Sequence, residues 1–250
     1  WQGDYHNARQ LLQALARRLD KRQRAAAVAE FPEAFHRHRM TQGQRARVLT
    51  QLLVPLDAQY RIPLRRAPDV QAACLEAWGP ADGPSVVALR ELLGVVGAHE
   101  WRRRGVPIAA LGGALLHPHY GVFSPVRGEY VRLVAEAPLP AACSTTPQAW
   151  DIGTGTGVLA AVLAQRGLTV CAIDQDPRAL ACAAENVARL GWRSRIDVQA
   201  GDLFPAGSAP LIVCNPPWLP GKPAAPIEHA IYGPDSRMLR GFLAGLRAHL

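Results

Sequence analysis

Through the first ~105 residues apolar positions recur three or four apart, with charged residues between them, which is the helical period. Leu11, Leu12, Leu15, Leu19 and Val28 define one such stripe from Asn7 to Ala29, and Phe31-Pro32 predicts its end because proline cannot continue a helix. A second helix is predicted over Gln44–Leu53, stopping before Pro55. Pro63 and Pro68 mark a loop, and Val70–Trp78 reads as a short helix closed by Gly79-Pro80. Ser85 is taken as the N-cap of a helix over Val86–Arg104, with Val86, Leu89, Leu92, Leu93 and Val96 on its apolar face. The expectation is a small helical N-terminal domain, residues 1–106, without internal repeats.

The pattern changes at Pro107. Ile108–Leu111 and Ala114–Leu116 flank Gly112-Gly113, which predicts a β-hairpin linker over 107–124. In the stretch 125–250, after a helix over Gly128–Ala137, short apolar runs alternate with helical ones. Strands are predicted at Gln148–Ile152, Leu168–Ile173, Ile196–Ala200 and Leu211–Cys214, and helices at Val158–Gln165, Pro177–Leu190 and Arg237–Leu250. Gly167 and Gly191 close the first two of these helices. This alternation predicts an α/β fold, a doubly wound, Rossmann-like parallel sheet with helices on both faces. An open sheet of this kind normally continues beyond four strands, and the first residue is not Met, so a longer natural chain is expected.

Composition narrows the class. With 250 residues, 49% of them hydrophobic and 19% charged, a disordered tail, a coiled coil and a collagen-like repeat are excluded. No stretch approaches ~18 uninterrupted apolar residues, so no membrane span is expected. The first residues lack the layout of a secretion signal. A cytoplasmic monomer is expected. The net charge of +8 is uneven: residues 1–120 hold 17 Arg or Lys against 10 Asp or Glu, and residues 121–250 hold 11 against 10. A basic front half suits nucleic acid, although 26 Arg beside only 2 Lys also reads as genome composition. Cys74, Cys143, Cys171, Cys182 and Cys214 form no Cys-x-x-Cys pair, which points to reduced thiols rather than disulfides or zinc. The pairs His36/His38 and His117/His119 read as surface histidines without a third metal ligand, and Arg102–Arg104 as a solvated helix end.

Four motifs carry the candidate chemistry, each at the end of a predicted strand. Asp151-Ile-Gly-Thr-Gly-Thr-Gly-Val follows a strand and opens a helix. Gly153, Gly155 and Gly157, with Thr154 between, allow backbone to approach a ligand, and the helix N-terminus offers free N–H groups. The spacing is G-x-G-x-G rather than the dinucleotide G-x-G-x-x-G, and a carboxylate at Asp151 repels a pyrophosphate but attracts a cation. Asp174 ends the next strand, where a carboxylate can accept both hydroxyls of a ribose, with Gln175 beside it; Asp176, before Pro177, fits the helix cap. Asp202, in Gly201-Asp202-Leu203-Phe204, is a candidate acceptor for the exocyclic amine of an adenine, with Leu203 against the ring. Asn215-Pro216-Pro217-Trp218 is the most specific signal. Two prolines fix φ, aiming the Asn amide oxygen and the Pro216 carbonyl at an NH₂ group, and Trp218 can stack on the plane bearing it.

In this order and spacing the motifs resemble class I S-adenosylmethionine-dependent methyltransferases of the N-P-P-aromatic group. Asp151–Gly157, Asp174–Leu180, Asp202-Leu-Phe and Asn215–Trp218 are most similar to the release-factor glutamine methyltransferases, which also carry a small helical N-terminal domain and a hairpin linker. The resemblance covers roughly residues 107–240. The family's usual N-P-P-Tyr is N-P-P-Trp here, and Gly121-Val-Phe-Ser124 is instead similar to small-subunit ribosomal RNA guanine methyltransferases. The aromatic variant also recurs among adenine amino-group methylases.

The resemblance implies S-adenosyl-L-methionine as cofactor, bound by Asp151, Gly153, Thr154, Gly155, Gly157, Asp174, Gln175, Asp202, Leu203 and Asn215. It implies Asn215, Pro216, Pro217 and Trp218 as the catalytic turn, no metal, and a role in substrate recognition for the helical domain. The expected acceptor is a planar nitrogen, first a protein glutamine on a release-factor-like partner, alternatively an RNA or DNA guanine or adenine amino group. Positioning would supply the rate enhancement, because no strong base stands nearby. Glu129 is a candidate for the border of the cofactor pocket and Glu228 and Tyr232 for the acceptor pocket. An NAD-dependent oxidoreductase and a non-catalytic binding module are the competing readings.

Overall fold

The computed structural model describes residues 3–24, 33–126, 128–217, 219–220 and 232–250. It divides into two compact units, Trp1–His99 and Glu100–Leu250.

The first unit is chiefly helical, as expected, but also holds a pair of strands. Helix α1 runs Tyr5–Arg24. It starts before the predicted Asn7 because Asp4 caps it: the Asp4 carboxylate accepts the Asn7 N–H at 3.2 Å and Arg66 Nε–H at 2.8 Å. The predicted end of this helix at Phe31-Pro32 lies outside the described residues. Helix α2 spans Glu33–Leu49, and the chain is extended by Leu53. Strand β1 (Leu53–Leu56) pairs antiparallel with β2 (Ser85–Ala88), Pro55 opposite Val86. Ser85 is therefore a strand residue and not a helix cap, a correction to the sequence reading. Two adjacent valines favour the pleat, and α4 (Leu89–Arg104) begins where the Leu89 N–H bonds the Leu52 carbonyl at 2.8 Å. Between the strands lies α3 (Gln71–Trp78), ended by Gly79 at φ +79°. Leu12, Leu49, Val54, Leu56, Cys74, Leu89 and Leu92 fill the core of this unit.

The second unit opens with the predicted hairpin, its second strand at the expected residues and its first starting two residues earlier. Strands β3 (Val106–Ile108) and β4 (Ala114–Leu116) pair antiparallel, with a 3₁₀ turn over Ala109–Leu111 and left-handed Gly112 and Gly113 between them. Val106, Ile108, Leu111 and Leu116 belong to the main core of this unit, so the hairpin is part of it. Helix α5 (Glu129–Glu136) follows, then β5 (Gln148–Ile152), α6 (Val158–Gln165), β6 (Thr169–Asp174), α7 (Pro177–Arg189), β7 (Ile196–Ala200) and β8 (Ile212–Cys214). Strands β9 (Leu219–Pro220) and β10 (Tyr232–Gly233) pair parallel with each other, and α8 (Arg237–His249) ends the chain.

The four central strands form a parallel sheet in the order β7-β6-β5-β8. Alternation along β5 divides its two faces. Ala149 joins Val170, Ala172 and the wholly buried stretch Val158–Ala164 of α6, together with α5 and Val187 of α7. Trp150 and Ile152 face the other way, with Ile173, Phe204 and the α8 residues Met238 and Phe242. Helices thus cover both faces. The order reverses between β5 and β8, and such a reversal opens a crevice at the carboxyl ends of the strands.

Candidate active site

Strand register brings the four motifs to one edge. Ile152 lies opposite Ile173 on one side and Cys214 on the other, so Gly153 leaves the sheet between Asp174 and Asn215. Asp174 in turn lies opposite Ala200, one residue before Gly201, and the Gly201 N–H bonds the Asp174 carbonyl at 3.0 Å. Neighbouring strands stand about 4.8 Å apart, so Asn215 and Asp174 flank the Gly-rich turn at about 10 Å from each other.

The turn is held through its backbone. The N–H groups of Gly153 and Thr154 both bond the Ile173 carbonyl, at 2.8 and 2.9 Å, and the Gly155 N–H bonds Asp174 Oδ2 at 3.0 Å. Gly153, Gly155 and Gly157 have φ of +73°, +56° and +80°, a region that side chains other than glycine enter at a cost. Around Gly155 the space where a side chain would stand is open.

Two carboxylates dominate the electrostatics. Asp151 is 1% exposed. Its Oδ2 accepts the Thr154 hydroxyl at 2.7 Å and the Ala160 N–H at 3.0 Å, while Oδ1, also buried, has no partner. Burial pushes its pKa up to about 6; the bonds from Thr154 and Ala160 pull it down, and the Asp174 charge adds to the rise. Burial raises the Asp174 pKa as well, against the bonds its carboxylate accepts from the backbone of Asp176 and Gly155. Cys214 is pushed up to about 12 by burial and then by these two charges, which places its thiol in the same negative field. An orphaned buried carboxylate oxygen, a second carboxylate at a strand end and an open glycine turn fit a ligand that carries a cationic centre and hydroxyl groups.

Asn215 is exposed, and Pro216 and Pro217 are half-buried beside it. The Pro217 carbonyl lies 3.0 Å from where a Gly233 side chain would start, so β10 packs closely behind the turn. Tyr232 pairs with Leu219 across β9 and β10, next to the turn. Trp218 and Glu228 lie outside the described residues. At the far end of the edge, Asp202 accepts a hydrogen bond from Arg237 Nη2 at 3.2 Å, both side chains exposed. Leu203, at φ +71°, packs on the α8 position Gly241. Gln175 joins Asp174 to Asp176, and Asp176 caps α7 by accepting the Arg178 N–H at 2.9 Å. Glu129 is exposed in the first turn of α5.

Three features went unseen in the sequence. Met238 lies against Gly153, Arg237 against Asp202, and Asn186 of α7 bonds the Thr156 carbonyl at 3.0 Å. Only the Asn, a polar residue on the apolar face of an amphipathic helix, carried a signal. The reading of His117 and His119 as surface residues is corrected. Both are half-buried: His117 Nδ1 stands 2.6 Å from the Arg102 carbonyl, and His119 Nε2 2.8 Å from Glu185 Oε2. The His119 bond ties this strand-exit segment to α7, and the His117 bond ties it to Arg102 at the end of α4. Arg102 is likewise no solvated end; it donates to Glu185 at 2.6 Å, while Arg103 and Arg104 stay exposed beside Glu100. All five cysteines are free, as expected. Among the described residues no group of metal-binding side chains occurs and no helix is long and apolar enough to cross a membrane.

Residues 115–236 match the family model of the methyltransferase small domain. A tRNA1(Val) (adenine(37)-N6)-methyltransferase of Vibrio vulnificus is 41% identical over 73 residues, 27% of this chain and 30% of its own. A release factor glutamine methyltransferase of Cereibacter sphaeroides is 40% identical over 101 residues, 38% of this chain and 34% of its own. The chain thus spans about a third of the length of these relatives. Among solved structures, a ribosomal protein L11 methylase from Lactobacillus delbrueckii aligns over 55% of this chain and 62% of its own, with 23% identity and a TM-score of 0.39. The Gly-rich turn, the strand-end carboxylates and the Asn-Pro-Pro turn stand on one parallel sheet and all lie within the stretch, residues 115–236, that matches the methyltransferase small domain.

Proposed function

We propose that the protein transfers a methyl group to a planar NH₂ nitrogen, with a protein glutamine as the first-ranked acceptor. The observation that carries this reading is the register of β5, β6 and β8, which sets Asn215 one strand from the Gly-rich turn and two from Asp174. S-adenosylmethionine, when bound, supplies an electrophilic methyl group on a sulfonium. The Gly-rich turn and the Asp151 and Asp174 carboxylates would hold it, Asp174 toward ribose hydroxyls, Gln175 beside it, and Asp202 with Leu203 toward the adenine.

The Asn215 amide oxygen and the Pro216 carbonyl are two acceptors fixed by proline geometry. An NH₂ group donating to both is held in one orientation. In an amide or aminopurine the nitrogen lone pair is delocalised into the π-system. Two acceptors on its hydrogens raise the electron density at nitrogen and favour the pyramidal geometry of attack. The remaining barrier falls through positioning, which reaches about 7–11 kcal/mol in well-oriented systems. Asn215 is exposed, so the acceptor can arrive as part of a large molecule.

Glutamine ranks first because the stretch shared with the release factor glutamine methyltransferase is the longer, 101 residues against 73 for the tRNA enzyme. A nucleobase amino group is the second reading, favoured by the N-P-P-W form and the basic first 120 residues. The test uses S-adenosylmethionine labelled in its methyl group, with a release factor and bulk tRNA as separate acceptors. Label in glutamine of the release factor is expected. Asn215→Ala is expected to lower incorporation at least about 100-fold while the Gly-rich turn and Asp174 still bind S-adenosylhomocysteine. Label in RNA alone would overturn the glutamine assignment, and an active Asn215→Ala would overturn the role of the turn.

A further inference from the structure

Helix α7 presents Cys182, Glu185 and Asn186 about one turn apart on its inner face, and none of them has a part in the chemistry above. Asn186 is 1% exposed. Its Oδ1 accepts the His117 N–H at 2.8 Å, and its Nδ2 donates to the Thr156 carbonyl at 3.0 Å. The Nδ2 group also lies 3.4 Å from the His117 carbonyl and 3.5 Å from Cys182 Sγ. Thr156 is 2% exposed and stands between Gly155 and Gly157, both in the left-handed region.

A turn made largely of glycine has little side-chain packing to fix its shape, so its backbone bonds decide it. On its N–H side it is held by the Ile173 carbonyl and the Asp174 carboxylate. On its carbonyl side it is held at Thr156 by Asn186. The same amide fixes the chain leaving β4 at His117, so one buried side chain sets the distance between the Gly-rich turn and the segment that leads to α5. Tyr130 of α5 is close enough to Asp151 for that charge to add to its raised pKa, now about 12 after burial. Glu185 ties down the same stretch separately: it accepts from His119 Nε2 at 2.8 Å and Arg102 Nη2 at 2.6 Å, its further hydrogen bonds go to Arg189, and none goes to the Gly-rich turn.

We propose that Asn186 is a positioning residue for cofactor binding, acting through the Thr156 carbonyl. The proposal rests on the methyl-transfer reading for the identity of the ligand. Asn186→Asp keeps the acceptor for His117 but sets a carboxylate against the Thr156 carbonyl. Glu185→Ala removes the neighbouring tie and is the comparison for mere loss of stability. Calorimetric titration of the full chain with S-adenosylhomocysteine, beside thermal melts, is expected to give at least tenfold weaker binding for Asn186→Asp. Glu185→Ala is expected to bind within twofold of the parent despite a comparable fall in Tm, and KM for the acceptor is expected to be unchanged in both. If the Asp variant does not fold, Asn186→Ser, which withdraws the donor without adding charge, carries the same expectation. Cofactor affinity that follows Tm equally in the two variants, or an Asn186 variant binding like the parent, overturns the proposal. A parent that binds no S-adenosylhomocysteine overturns the methyl-transfer reading itself, a result distinct from a parent that binds and a variant that binds equally well.

Discussion

Asp151 shows how one residue serves both the fold and the site. Its Oδ2 organises the Gly-rich turn and the first turn of α6, while its Oδ1 is buried without a partner. The pKa of about 6 in the folded chain stands above the ordinary carboxylate value, so the folded state holds this proton more tightly than the unfolded one. The stability tied to that proton is full below about pH 4 and is lost as pH rises to about 6, on the order of 3 kcal/mol in all. Asn cannot titrate. The stability difference between Asp151→Asn and the parent, from urea unfolding midpoints, is therefore expected to move in the variant's favour between pH 4 and 6 and then to stay level to pH 8. A difference constant across that range would sink the assignment. Asp151, Asp174 and Asn215, each within one residue of a strand end, were legible in the sequence because a polar residue at the close of an apolar run stands near the carboxyl edge of a parallel sheet. Asn186 was legible only as a polar residue on the apolar face of an amphipathic helix; its partners, the backbones of Thr156 and His117, are set by the tertiary fold.

At the scale of elements, α8 is the support of the Asp202–Phe204 segment. Phe204 stacks on Phe242 and on His249, and Gly241 and Gly245 leave room for Leu203 and for the Phe204 ring. A methyl group at 245 would overlap that ring, and one at 241 would stand 2.7 Å from Leu203 Cδ1. Gly245→Ala gains about 1 kcal/mol of helix propensity but overpacks the contact at about 1–3 kcal/mol. The expected result is a net loss of up to about 2 kcal/mol and weaker S-adenosylhomocysteine binding, because Asp202 and Leu203 move with Phe204. Gly43 in α2 meets nothing within 4 Å, so Gly43→Ala is expected to stabilise by about 0.5–1 kcal/mol. Chemical unfolding of the pair tests both, and stabilisation by Gly245→Ala would contradict the packing argument. Elements with strong local signals were legible: β5, α6 and β7 have the predicted bounds, set by apolar runs between glycines and by the Asp-Pro start of α7. Strands β1 and β2 were not. Four-residue runs such as Leu53–Leu56 and Ser85–Ala88 carry no period that separates strand from helix, and a partner about 30 residues away decides them.

For the whole molecule the open matter is which acceptor its charge serves. The net charge of +8 is concentrated in residues 1–120, whereas the matched domain covers 115–236. If the acceptor were RNA, arginines would neutralise phosphates and release counterions, and affinity would fall about 10³–10⁵-fold between 50 and 200 mM salt for about 6–10 phosphate contacts. A protein acceptor held by a few exposed charges loses far less, because such pairs contribute at most about 1 kcal/mol each and are screened together. With glutamine as the acceptor, kcat/KM at subsaturating release factor is expected to fall less than about tenfold over that range. The binding constant for S-adenosylhomocysteine, measured at the same salts, separates effects on the cofactor from effects on the acceptor. A hundredfold or steeper fall in kcat/KM with cofactor binding unchanged would assign the basic N-terminal residues to a phosphate backbone and make a nucleobase the acceptor. The Asn215-Pro216 turn would hold that NH₂ by the same two acceptors, so the reversal would change the partner and leave the chemistry of the site intact.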